Sequence, residues 1–265
     1  MKFVANLIIR LFISLAIIFG IAACASSTRG FPKSTDTSSA IEVAYLASLK
    51  PALDAVNACI ASDSGLALFL SETQAENFNT QEADLTLWLG PPPENQSYAV
   101  PLAYEEIAVV INAHNPVQAF TQEELKAILR GEITQWNSVG GENRKINVWI
   151  YPKGDEIQTL AENRLVPGVK IASTALTAPG PEAMVESISG DPGALGFLPL
   201  AWQNSEIKTI QIRDSKTSSL REPVLALTST EPERSAQNPL YTFLLCMQGP
   251  TGQKALTRHY EPLNP

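Results

Sequence analysis

The residues of this chain that could do chemistry are hydroxyls, carboxylates and one well-placed lysine. The run Lys153-Gly154-Asp155-Glu156 follows an apolar segment, Ile146–Tyr151. Lys153 supplies positive charge, and Gly154 lets a backbone approach a ligand closely where the next helix begins. A cation beside the free N–H groups of a helix start is an anion-binding arrangement. Asp155 and Glu156 weigh the other way, because a carboxylate only accepts hydrogen bonds and repels a dianion. A second reading makes Asp155 a plain N-cap and Lys153 a solvated turn residue. Three more loops follow apolar runs. One offers Ser48, one offers Ser71 and Thr73 with Glu72 between them, and one has Trp88 and Gly90 ahead of Pro91-Pro92-Pro93. In α/β proteins ligands bind outside the carboxyl ends of strands. Ser48, Ser71, Thr73, Trp88, Gly90, Lys153, Gly154 and Asp155 are therefore the candidate ligand site.

Other chemistries find little material. The chain has 265 residues with two histidines and three cysteines, too few for a metal cluster or a disulfide framework. No G-x-S-x-G, H-E-x-x-H or P-loop pattern occurs, so no catalytic residue, cofactor or metal is expected. Acidic residues outnumber basic ones 27 to 19, for a formal charge of −8. That balance argues against a nucleic-acid partner, which needs a basic patch.

The elements that must position these loops begin after a targeting segment. Residues 1–23 read as a signal peptide. Lys2 and Arg10 precede an uncharged run from Leu11 to Cys24, too short to span a bilayer and right for a signal core. The run ends in Ile21-Ala22-Ala23-Cys24, and residues 24–40 are a Ser/Thr-rich tether. From there strand-like and helix-like segments alternate. Ile41–Ala47 reads as a strand and Pro51–Ser62 as a helix with Leu53, Val56 and Ile60 on one face. Gly65–Leu70 reads as a strand, the polar stretch to Glu82 as a weakly patterned helix, and Asp84–Leu89 as a strand. Ile107–Ile111 is apolar at every position, as a strand covered on both faces must be. Thr121 and Glu124 form a capping box, with Phe120 and Leu125 as its staple, Leu125, Ile128 and Leu129 as the buried stripe, and Gly131 as the stop. Then come a helical stretch to about Val166, a helix over Pro181–Ser189, strands over Ala194–Leu200 and Ile207–Ile212, and a last helix over Pro239–His259 broken at Gly249-Pro250. Strands separated by helices predict an α/β fold with mostly parallel sheets. About ten elements exceed one small sheet, so two lobes with a cleft between them are expected.

Three pieces of the middle resemble the phosphate-type family of bacterial substrate-binding proteins, the extracytoplasmic receptors of ABC importers. These are Ile107–Asn112 with Asn115-Pro116-Val117, Thr121–Ile128 with Gly131-Glu132-Ile133-Thr134-Gln135-Trp136, and Val139-Gly140-Gly141 before Ile146. Weaker echoes lie at Ala83-Asp84-Leu85 and Gly193–Phe197. The small residues before Cys24 likewise resemble the lipobox of bacterial lipoproteins, in which the cysteine becomes the lipid-modified N-terminus. The resemblance implies a two-lobed, type II periplasmic-binding-protein fold: residues 41–105 and 200–265 in one lobe, 106–199 in the other, and a hinge near 100–110 and 197–202. In that family the Gly131–Gly141 stretch with Trp136 is expected to be structural, and His114, beside Asn115-Pro116, reads as a surface loop residue rather than a ligand or base.

The function so implied is a monomeric, lipid-anchored receptor outside the cell membrane, handing phosphate or another small oxyanion to an ABC permease. The chain departs from the family where the ligand would sit. Asp155 and Glu156 stand in place of hydroxyls, and the loop after Leu89 has no side-chain donor, so poor phosphate affinity is expected. The alternative is a sensor or scaffold lipoprotein on the same fold with a degenerate site. The implied topology also brings both chain ends into one lobe, where Cys59 and Cys246 either pair or remain two buried thiols.

Overall fold

A long strand organises the molecule. In the computed structural model, which describes residues 39–62, 65–79, 82–94, 98–214 and 219–263, β4 runs over Tyr98–Asn112. Its apolar residues Ile107–Ile111 are fully buried, as their unbroken hydrophobicity requires. The signal segment, Cys24 and nearly all of the tether lie outside the described residues, all of which belong to one compact unit, Ser38–Pro265.

On one side of β4 lies β11 (Ser219–Thr228), then β3 (Leu85–Leu89), β1 (Ser39–Leu46) and β2 (Leu66–Thr73). On the other side lie β8 (Ala194–Pro199), β6 (Asn147–Ile150) and β7 (Leu176–Thr177), with β9 (Ile207–Thr209) pairing the far end of β4. β1, β2 and β3 are mutually parallel where they pair, as are β6, β7 and β8. The two parallel groups meet through antiparallel partners, because β11 opposes both β3 and β4, and β8 opposes β4. The expected sheets are thus one curled mixed sheet, the architecture of the two-lobed binding-protein fold.

Register explains where a ligand site must form. Leu89, the last residue of β3, sits opposite Val224, which sits opposite Ala103 of β4. Pro199, the last residue of β8, sits opposite Ile107. The carboxyl ends of both parallel groups therefore converge midway along β4, between the levels of Ala103 and Ile107. The connecting loops beyond those ends are brought face to face by the sheet itself.

Helices cover this sheet. α1 (Leu53–Ser62) follows a 3-10 turn, Ala47–Ala52, so the expected helix from Pro51 starts a little later in α form. α1 packs with α5 (Pro239–Gln248) and α6 (Pro250–Leu256), which are separated at Gly249 as the Gly-Pro pair predicts. The Sγ atoms of Cys59 on α1 and Cys246 on α5 lie 2.10 Å apart, with Cα atoms 5.8 Å apart. On the other side of β4, α4 (Pro181–Gly190) packs on β8, and α2 (Gln122–Leu129) carries the full capping box of Thr121 and Glu124 and buries Leu125, Ile128 and Leu129. Trp136 is wholly buried and its indole N–H donates to the Gly193 carbonyl at 3.0 Å. A Cβ on Gly141 would stand 2.9 Å from both Trp136 and Val117. Trp136 and Gly141 of the Gly131–Gly141 stretch thus serve packing.

Two expectations fail. The stretch from Ser71 to Glu82 is not a helix. β2 continues through Thr73, and only a single 3-10 turn, Ala75–Asn77, follows among the described residues. The stretch lacks an apolar stripe, so no packing rewards a helix there. The strand Ile207–Ile212 is split, with β9 pairing β4 and β10 (Gln211–Ile212) pairing β5 (Ala119–Phe120) in a separate two-stranded sheet.

Candidate functional site

The loops after β1, β2 and β6 close around a small cavity of about 80 Å³. Its lining includes Ala47, Glu72–Glu76, Pro152–Glu156 and Pro179. The volume suits a small ion or solute, well below the several hundred Å³ of drug-sized pockets.

β6 delivers Pro152-Lys153-Gly154 into this cavity. Gly154 has φ of +93°, a left-handed turn that only glycine enters without strain. A Cβ there would also lie 2.5 Å from the Glu76 carboxylate, so the loop and the turn after β2 approach as closely as glycine permits. α3 (Glu156–Leu160) then begins, and two of its first N–H groups are already taken. The Asp155 carboxylate accepts from Ile157 N at 2.9 Å and Gln158 N at 3.2 Å. Two helix-start donors that could hold an anion thus hold the protein's own carboxylate, as the N-cap reading of Asp155 anticipated.

Ser48 is fully buried in the 3-10 turn after β1. Its hydroxyl donates to Glu156 Oε1 at 2.5 Å, and its carbonyl accepts from the Trp202 indole at 2.8 Å. Ser48 and Glu156 come from opposite sides of β4, so this bond spans the gap between the two strand groups. Further ties cross the same gap. Arg164 donates to buried Glu222, Lys50 pairs with Glu182 at 3.4 Å, and a Cβ on Gly90 would stand 3.2 Å from a Leu160 methyl.

Charge in the cavity is negative on balance. Glu72, Glu76, Asp155 and Glu156 line it against Lys153. Burial pushes the Asp155 carboxyl up to about 7, and the neighbouring Glu156 charge adds to the rise against the two backbone donors. Burial raises Glu156 as well, offset by the Ser48 hydroxyl. Beneath the cavity, Tyr151 is buried with its phenol donating to the Phe197 carbonyl at 3.1 Å, and the charges of Asp155 and Glu156 reinforce burial in raising it.

Of the eight expected positions, Thr73, Lys153, Gly154 and Asp155 line this cavity, and Ser48 stands just behind it with its hydroxyl engaged. Ser71, Trp88 and Gly90 do not line it. Ser71 is an exposed residue of β2 rather than of a loop. Trp88 is buried against Phe78, with ring centroids 4.8 Å apart, and its indole donates to Pro91 O at 2.9 Å. The Gly90 N–H donates to Pro223 O at 2.9 Å, so it is unavailable to a ligand. Sequence reasoning missed Gln74, Glu76 and Pro179. The first two lay in the stretch read as helix, and Pro179 follows a two-residue strand with no periodic signal. His114 is a surface residue near Glu206.

Residues 69–244 match the model of the PBP superfamily domain, and the chain belongs to that family. Solved structures agree in fold. One is a protein of Clostridium perfringens described as a phosphate ABC transporter substrate-binding protein with bound phosphate. It superposes with a TM-score of 0.74 at 14% identity, over 85% of this chain and 100% of that one. An ABC-type phosphate transport receptor from Vibrio cholerae gives 0.65 at 20% identity, over 83% and 99%. The OxyR2 regulatory domain from Vibrio vulnificus gives 0.56 at 15% identity, over 78% and 96%. The fold thus serves both transport receptors and a regulatory domain. Among the described residues no helix is long and apolar enough to cross a membrane, and no group of three or more His, Cys, Asp or Glu side chains is arranged to hold a metal ion.

Proposed function

We propose that the protein is a lipid-anchored, extracytoplasmic solute-binding protein, not an enzyme, that binds a small oxyanion in the cleft between its lobes and serves an ABC permease. The observation that carries this reading is the convergence of the loops after β1, β2 and β6 on one small cavity with Lys153, Thr73 and Gly154 in its wall. Residues 41–105 and 200–265 form one lobe and 106–199 the other, with the central part of β4 as the hinge. Cys24 carries the lipid, residues 24–40 are the tether, and the Cys59–Cys246 bridge closes in the oxidising compartment reached on export. The relatives described as phosphate receptors support the oxyanion class. The carboxylates of Asp155 and Glu156 argue that the dianion binds weakly.

A second reading, a sensor or scaffold on the same fold, is favoured by one specific feature. Ser48, Asp155 and two of the first N–H groups of α3 spend their hydrogen bonds inside the protein. A thermal-shift screen of the protein against phosphate, sulfate, molybdate and small organic anions separates the two. Binding to the native state must raise the melting temperature. A rise with one of these anions, lost in Lys153→Ala, supports the receptor. No rise with any of them supports the sensor or scaffold.

A further inference from the structure

The Ser48–Glu156 bond joins two parts of the chain that the sheet holds on opposite sides of β4, at the place where a ligand would join them. In this fold a ligand closes the lobes because the closed state contacts it from both sides. Here a carboxylate of the protein makes such a contact. Glu156 belongs to α3, Ser48 to the turn after β1, and both are buried. Asp155, next in line, is held by the N–H groups of Ile157 and Gln158.

We propose that Glu156, with Asp155 beside it, is a built-in latch that holds the cleft shut through Ser48 without a ligand, and that opening the cleft is coupled to loss of a proton from this carboxyl pair. The inference rests on reading this gap as the functional cleft, but its test needs no ligand.

The physical reason is the surroundings of the pair. On its own loop stand Lys153 and, one turn on, Gln158, which is tied to Glu162 at 2.8 Å. The end of β6 contributes the buried Tyr151 phenol. From the other lobe come Glu72 and Glu76 of β2 and its following turn, and Ser48 and Lys50 of the 3-10 turn, Lys50 already paired with Glu182. Lys153 is the cation among the cavity-lining groups, against four carboxylates. Shut, the pair is poorly hydrated and can carry a second charge only against burial and its neighbour's repulsion. Open, both groups reach water and ionise freely. A carboxyl whose closed-state value is raised favours closure below its ordinary range, and that support is lost as pH rises through the raised value, about 7 for Asp155. The proton released goes to solvent, and no other reactant is needed.

The test is amide hydrogen exchange in the full chain, corrected for the intrinsic effect of pH, at pH 6 and pH 8.5 with no added anion. The segments that report are 72–76 and 153–158, with Leu125–Leu129 of α2 as the control for an intact fold. In wild type both segments are expected to be protected at pH 6 and to lose protection at pH 8.5. Asp155→Asn/Glu156→Gln keeps the cap and the acceptor for Ser48 without the charges, so it should stay protected at both values. Ser48→Ala should be less protected at both. Wild-type protection that does not change with pH overturns the proposal. So does a double variant that loses protection with pH as wild type does, or that lacks it throughout. Failure of the protein to bind any oxyanion leaves these outcomes unaffected, so the latch and the receptor reading fail separately.

Discussion

Removing the link between Cys59 and Cys246 should cost this protein a large share of its stability. The two cysteines are separated by 187 residues, so the bond closes a loop of most of the folded unit. In the chain-entropy account, cross-linking so long a loop restricts the unfolded chain by about 5 kcal/mol, before any native strain is subtracted. The structure adds a reason for little strain to arise. α1 packs against α5 and α6 through apolar residues such as Val56, Leu244 and Met247, so the helices are held together with or without the bond. At roughly 2–4 °C per kcal/mol for a domain of this size, the expected fall in melting temperature is about 10–20 °C. The assay is calorimetry on oxidised wild type, reduced wild type and Cys59→Ala/Cys246→Ala. The reduced protein changes only the bond, whereas the double variant also removes two sulfur atoms from a packed interface. A fall below about 2 °C in both comparisons would refute the reasoning, as would two free thiols titrating in unfolded, unreduced protein.

Three further outcomes follow from the same account. Cys24→Ala should release the protein from the membrane fraction or leave the precursor unprocessed, and mature-size protein still held on the membrane would contradict lipidation there. Thr121→Ala removes the side-chain acceptor from Glu124 N and half of the capping box, and chemical denaturation should show a loss of about 0.5–2 kcal/mol. Stability should fall as pH rises from about 5 to 8.5, because burial raises Glu105 on β4 from 4.5 to about 8. Between those values the folded protein holds a proton that the unfolded chain has lost, so the support is present at low pH and disappears at high pH. Melting scans of Glu105→Gln should show a flatter profile.

How much of this was legible depends on what set each element. α2 could be read because its signals are local: a capping residue, its reciprocal glutamate, an apolar stripe and a stop glycine lie within eleven residues. Ile107–Ile111 could be read because burial on both faces leaves a continuous apolar run. The rest of β4 and all of β11 could not. Glu105, Glu106 and Pro223 interrupt their pattern, and those strands exist because each pairs with the other along ten residues. That is a tertiary cause with no local signature. The site divides in the same way. Lys153, Gly154 and Asp155 were legible from one loop, and the conflict between cation and carboxylate was visible in their order. The Ser48–Glu156 bond joins residues 108 apart and depends on the register of the whole sheet. Trp88 and Gly90 looked available because a sequence shows donors but not the acceptors, Pro91 O and Pro223 O, that already engage them.

The central claim is that the cavity beside Lys153 is an anion site weakened by the carboxylates of Asp155 and Glu156. Calorimetric titration of inorganic phosphate at pH 8 into wild type, Asp155→Asn/Glu156→Gln, and the same double variant carrying Lys153→Ala tests it most directly. The account predicts weak or unmeasurable binding by wild type. It predicts binding at least about tenfold tighter once the two charges are removed, equivalent to about 1.4 kcal/mol, and loss of that gain when Lys153 is removed. Tight phosphate binding by wild type, or a gain that survives Lys153→Ala, would contradict it.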